Sequence, residues 1–179
     1  AYLPEHIVGY GTVISGGEPF LLEDHLCYVP PGVLIFIGYP LKEDFDAGKM
    51  DRVLGEAMER FQPDRVALIA PAIAERTGER HSPDSYYRLD LQNLRIPSKV
   101  KNMVRRASRE LTVEITRDFT PEHRQLVTLF QGSRTLDPGT CRILEKIPEY
   151  LAAVPTARIV NARDDSGTLA AFDIGDFWP

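Results

Sequence analysis

Residues 33–70 read VLIFIGYPLKEDFDAGKMDRVLGEAMERFQPDRVALIA, and this stretch decides the fold. Val33 to Ile37 is an uninterrupted apolar run, the pattern of a strand covered on both faces. From Asp46 to Phe61 the period changes. Met50, Val53, Leu54, Ala57, Met58 and Phe61 recur at i, i+3, i+4, i+7, i+8 and i+11, so they share one side of an α-helix. Gln62-Pro63-Asp64 stops that helix, and Arg65 to Ala70 (RVALIA) reads as a second buried strand. Strand, helix and strand with short links make a crossover, which predicts that the two strands are parallel.

Working back toward the N-terminus, Gly11 to Tyr39 reads as short strands between turns: GTVIS, FLLE, DHLCYV and then the apolar run. Forward of Ala70, residues 74–85 are polar and contain Thr77-Gly78, a loop pattern. Tyr86 to Leu91 (YYRLDL) alternates and reads as a strand that can turn only one of Tyr86 and Tyr87 toward any site. Leu111 to Thr116 (LTVEIT) is rich in β-branched residues, again a strand. Thr120-Pro121-Glu122 opens a helix through an N-cap hydroxyl and a proline at its first position. Leu126, Val127, Leu129 and Phe130 supply its buried side, and Gly132 closes it. Asp137-Pro138 opens another helix, which Pro148 should break. Ala157 to Arg163 and Thr168 to Phe177 flank Asp164-Asp165-Ser166-Gly167 as a β-hairpin.

Between these elements lies the most unusual surface of the chain. Residues 94–110 hold six Lys/Arg against one acid, a local charge of +5 in a protein whose net charge is −5. On a helix beginning after Ser98, Val100, Met103, Val104 and Ala107 fall within a roughly 100° arc. Lys99, Lys101, Arg105, Arg106 and Arg109 take the opposite side. Lys99 and Lys101 stand in the first turn, where the helix dipole disfavours cations by a few tenths of a kcal/mol. Two readings stay open: a surface kept for an anionic, phosphate-bearing partner, or a solubilising face set against an acidic body.

Other chemistry is sparse. Cys27 and Cys141 form no CxxC or CxxH pair, which fits a reducing cytoplasm better than a disulfide framework or a zinc site. His6, His25, His81 and His123 show no HxxH or HxxxH spacing, so no metal is expected. His123, third in its helix, reads as a surface or capping residue, and His81, near Ser82 and Asp84, as a solvated loop residue. No GxSxG is present, and no apolar run approaches the eighteen or so residues that span a bilayer. The acidic balance and the lack of a helix-turn-helix argue against sequence-specific DNA binding. A cytoplasmic location is expected.

The order from Leu111 onward, strand, helix, helix, strand, hairpin, strand, resembles the opening half of an N-acetyltransferase-like (GNAT) domain. Residues 33–70 resemble the central GNAT unit that holds acyl-CoA. Two such halves joined through a strand and a basic helix resemble the tandem-GNAT aminoacyltransferases of the FemAB type, and the phosphatidylglycerol lysyltransferase C-terminal domains. The segment YYRLDLQNLRIPSKVKNMVRRASRE, residues 86–110, carries most of this, because those families place a Lys/Arg-rich helix ahead of the following strand.

The resemblance implies an α+β fold, a GNAT-like mixed sheet flanked by helices. It divides the chain into a degenerate half at 1–93, a basic linking helix at 94–110 and an incomplete second half at 111–179. It implies acyl or aminoacyl transfer to an amine, with acyl-CoA or aminoacyl-tRNA as donor. Lys99, Lys101, Arg105, Arg106 and Arg109 would contact the phosphates of a small molecule, a lipid head group or tRNA. Asp173 and Asp176, on opposite faces of the last strand, would be acceptor-side acids, with a solvated strand-end carboxylate as the alternative. Trp178 would line an acceptor cleft or cap the core.

Two departures qualify this. The family's Gly-rich pyrophosphate loop is matched here by Phe45-Asp46-Ala47-Gly48-Lys49-Met50, with one glycine, and Glu43, Asp44 and Asp46 at the helix entrance should repel a pyrophosphate. The chain also ends at Pro179, where the family's next strand would begin, so a longer protein is expected. A non-catalytic scaffold of GNAT-like architecture and an RNA- or phosphate-binding module are the alternative functions.

Overall fold

Apolar residues of the decisive stretch are sealed on both sides of one strand: Leu34, Phe36 and Ile37 of β3 (Val33–Ile37) are fully buried. In this computed structural model the chain divides into two compact units, Ala1–Tyr86 and Tyr87–Pro179. The structure describes residues 3–73, 85–87 and 89–177.

In the first unit, α2 (Ala47–Phe61) carries the chain from β3 to β4 (Arg65–Ile69), and the two strands pair in parallel from Val33↔Arg65 to Ile37↔Ile69. Asp46 caps α2 by accepting the N–H of Lys49 at 2.6 Å. The stripe read from the sequence packs as the period requires. Met50, Val53, Leu54 and Ala57 join Cys27, Leu34 and Phe36 in the core, with Phe61 against them. Met58 is the exception, since it rolls out to the exposed side. Ahead of β3 come β1 (Glu18–Leu22) and β2 (His25–Val29), giving a four-stranded mixed sheet of order β1-β2-β3-β4.

The expected strand at GTVIS is instead the end of a helix, α1 (Val8–Ser15). Gly11 explains why the helix wins over β-branched propensity. A Cβ there would stand 1.9 Å from Cζ of Tyr28, so α1 lies flush on that ring. Gly16, left-handed at φ 71°, ends the helix.

The second unit opens with α3 (Ser98–Glu110), which runs directly into β5 (Leu111–Thr116). The expected strand at Tyr86–Leu91 is absent among its described residues. Asp90 turns the chain by accepting the N–H of Gln92 (3.0 Å) and the side-chain amide of Asn93 (2.7 Å), an Asx-type turn that competes with a ladder. α4 (Pro121–Ser133) runs one residue past Gly132. The next helical stretch is broken at Lys146 into α5 (Pro138–Glu145) and α6 (Ile147–Ala153), with Pro148 in the first turn of α6. β6 (Ala157–Asp164) and β7 (Leu169–Asp176) form the hairpin. β5, β6 and β7 make an antiparallel sheet in that order. Two sheets, one mixed and one antiparallel, and six α-helices among the described residues make the protein α+β.

Candidate functional site

The five cations picked out by the sequence all lie on α3, and every residue of that helix is exposed. Pro97 stands at its N-cap without a side-chain hydrogen bond, and its first turn carries no acid but does carry Lys99 and Lys101. Among the described residues one ion pair touches the helix: Arg106 Nε lies 3.6 Å from Glu110. Arg105 reaches Asn102 at 3.4 Å. Among the described residues no carboxylate pairs with Lys99, Lys101, Arg105 or Arg109.

Some cations elsewhere are held by partners. Lys49 is shared by Glu43 and Glu23, Arg52 by Glu23 and Glu56, and Arg163 by Glu114 and Glu122. Arg117 gives its guanidinium to the carbonyls of Leu151, Val154 and Pro155 at the end of α6. Among the described residues, α3 thus gathers four cations without a carboxylate partner on one helix.

The entrance to α2 is where a parallel-strand crossover ordinarily offers backbone donors to an anion. Here the protein fills that position itself. Asp24 Oδ2 accepts the N–H of Lys42 (2.8 Å) and of Glu43 (2.9 Å), and Asp46 takes that of Lys49. Burial pushes the Asp24 carboxyl up, but these two backbone donors together with the charges of Lys42 and His25 hold the group below its ordinary range. The parallel strands also stay joined past their ends, Gly38 N–H donating to Ile69 O at 2.7 Å. Beside Asp24, His25 is buried and stacked on Phe36 at 5.4 Å, with Nδ1 lacking a partner, and burial lowers its pKa.

Sequence reading missed the buried polar network of the second unit. His123 is a capping residue, as expected, but it is fully buried rather than on the surface. Its Nδ1 accepts the backbone N–H of Thr120 at 3.0 Å, so the ring proton sits on Nε2 and is donated to Oδ1 of Asn161 at 2.9 Å. Asn161 Nδ2 then points at Glu114 (3.3 Å) and Thr116 (3.4 Å). Arg163 closes the network against Glu114 (2.6 Å) and Glu122 (3.0 Å) and holds both carboxyls below their ordinary range. Phe119 and Phe172 flank the imidazole. With both nitrogens engaged and no exposure, His123 organises structure.

Asp173 and Asp176 stand three residues apart on β7, on opposite faces. Asp176 accepts the Tyr150 hydroxyl at 2.8 Å, while Asp173 is exposed. No hydrogen bond or ion pair among the described residues joins either of them to α3. Burial pushes the Cys27 thiol up to about 11, so it carries almost no thiolate at neutral pH. His81, Ser82, Asp84, the Thr77-Gly78 loop and Trp178 lie outside the described residues.

Among the described residues no three His, Cys, Asp or Glu side chains converge as a metal site, and no helix is long and apolar enough to cross a membrane. No protein-family model, curated protein or solved structure matches the chain.

Proposed function

We propose that this protein binds a phosphate-bearing partner through the basic face of α3, as the recognition element of an acyl or aminoacyl transfer to an amine. The observation that carries the binding half is the electrostatic state of α3. Its N-terminal N–H groups have no side-chain cap, its first turn holds two lysines and no acid, and among the described residues Arg106 alone of its five cations pairs with a carboxylate. A phosphate settled there would satisfy orphan N–H groups and cations together. Without an anion, the helix dipole and the lysines repel one another.

The transfer half rests on element order. A mixed sheet built around β3-α2-β4, followed by β5-α4-α5-α6-β6-β7, resembles the succession expected of two GNAT-like halves. The donor would not be held at α2, where Asp24 and Asp46 occupy the backbone donors that a pyrophosphate needs. A non-catalytic scaffold is favoured by the same self-filled entrance.

The test is a binding panel of bulk tRNA, acetyl-CoA and phosphatidylglycerol vesicles at low and high salt. At least one probe should bind, weaken steeply with salt, and be lost in Lys99→Glu/Arg106→Glu. Saturable acetyl-CoA binding that survives Asp24→Asn and the α3 reversal would place the donor elsewhere on the chain. A reversal that changes solubility alone would sink the phosphate reading.

A further inference from the structure

The same helix carries a second surface that phosphate contact leaves unused. We propose that α3 is an interfacial helix, lying in the surface of an anionic lipid bilayer with its aliphatic arc among the acyl chains and its cations among the headgroup phosphates. This rests on the phosphate reading above and names the partner.

A helix of a globular protein buries its apolar arc. α3 does not: Val100, Met103 and Val104 are 43%, 62% and 57% exposed. At 100° per residue Lys101 lies just beyond Ser108 on one side of that arc, and Lys99 and Arg106 just beyond Glu110 on the other, with Arg105 and Arg109 opposite. Cations on the flanks of an apolar stripe can lay their methylene stems on lipid while their charges rise to the phosphates. The apolar surface continues back along the chain through Leu91, Leu94 and Ile96, all exposed.

Charge complementarity selects an anionic surface. The segment 94–110 holds six cations and one acid in a chain of net charge −5, so an anionic bilayer attracts α3 and repels the remainder. RNA would engage the cations but leave the aliphatic arc in water, and α3 has no aromatic side chain on which a base could stack. A 13-residue helix is about 20 Å long, too short to span a bilayer and suited to lying flat in its interface.

The experiment is co-sedimentation of the full chain with vesicles of phosphatidylcholine alone or mixed with phosphatidylglycerol, beside a tRNA-binding measurement. Binding is expected to the mixed vesicles and not to phosphatidylcholine. Each neutralised cation, such as Arg105→Gln, should lower affinity about fivefold. Met103→Gln/Val104→Gln changes no charge and alters two exposed residues, so its circular dichroism should match the parent while its vesicle affinity falls at least about tenfold. Full vesicle affinity in that double variant overturns the interfacial helix. Binding to tRNA without binding to vesicles also overturns it, while sparing the phosphate reading. Binding to neither vesicles, tRNA nor acetyl-CoA removes both.

Discussion

Asn161 links two sides of the second unit's interior, accepting the hydrogen bond of His123 with one end of its amide and facing Glu114 and Thr116 with the other. Its place was legible in part. Ala157, Ile159, Asn161 and Arg163 alternate onto one face of β6, so a polar residue at an inward position announces a partner across the sheet or from a helix. Which partner was not legible, because His123 is 38 residues away in sequence and reads locally as a simple cap. Asn161→Leu should leave the buried Nε2–H of His123 unsatisfied and cost about 1–3 kcal/mol, measured as a lower urea midpoint at unchanged slope. A midpoint equal to the parent's would mean that water replaces the amide. The buried histidines of the first unit give a pH dependence. Burial lowers the pKa of both His6 and His25 below the ordinary histidine value of about 6.5, so the unfolded chain binds more protons than the folded one below that pH. Stability from these groups is full above about pH 6.5 and is lost as pH falls toward their folded values. Asp24, whose pKa is lowered from 3.8, loses its contribution only at still lower pH. Urea midpoints should therefore already decline between pH 7 and 5, and His25→Phe should shallow that decline.

At the scale of elements, the βαβ unit was readable because periodicity alone specifies it: one apolar run, one 3.6-residue stripe and a second apolar run. α1 was misread as a strand because Val13 and Ile14 favour strands locally, while the close approach of Gly11 to Tyr28 is a tertiary fact. Residues 86–91 alternate like a strand, yet the turn at Asp90 ends that conformation. α3 was readable in extent and in charge, but nothing in its pattern disclosed that its apolar arc would be exposed. That exposure has consequences. A 13-residue helix without buried side chains gains little from tertiary packing, and helices of this length are marginal in water on their own. Its one i,i+4 pair, Arg106–Glu110, runs in the less favourable direction. Amides of α3 should exchange with solvent much faster than those of α2, whose inner face is buried, and bound anionic vesicles should slow them. Equal protection of α2 and α3 in the free protein would contradict this. Lys99→Glu separates stability from binding. An acid in the first turn should stabilise α3 by about 0.3–1 kcal/mol through the helix dipole, while vesicle or phosphate affinity falls. Circular dichroism and co-sedimentation on the same variant should therefore move in opposite directions.

Over the whole molecule, each unit closes its own hydrogen-bonded sheet, but the two are not equally well covered. In the first, β2 and β3 are largely buried while the edge strand β4 is exposed to half-buried, and α2 contributes Met50, Val53, Leu54 and Ala57 to a contiguous core. In the second, Ile159, Asn161 and Phe172 share the inner face that holds His123, whereas Val113 and Ile115 of β5, on the other face, are 65% and 60% exposed. Burial of apolar side chains is the main favourable contribution to folding, at about 25 cal/mol per Å². A three-stranded sheet with one open face should accordingly be the weaker cooperative unit. Hydrogen exchange followed by mass spectrometry across a urea series is expected to show β5, β6 and β7 opening at lower urea than β2 and β3. Leu54→Ala should lower the opening of the first sheet by about 2–5 kcal/mol and bring the two transitions together. If all seven strands open at one urea concentration in the parent, the units fold as a single cooperative body, and the exposed face of β5 does not weaken its sheet.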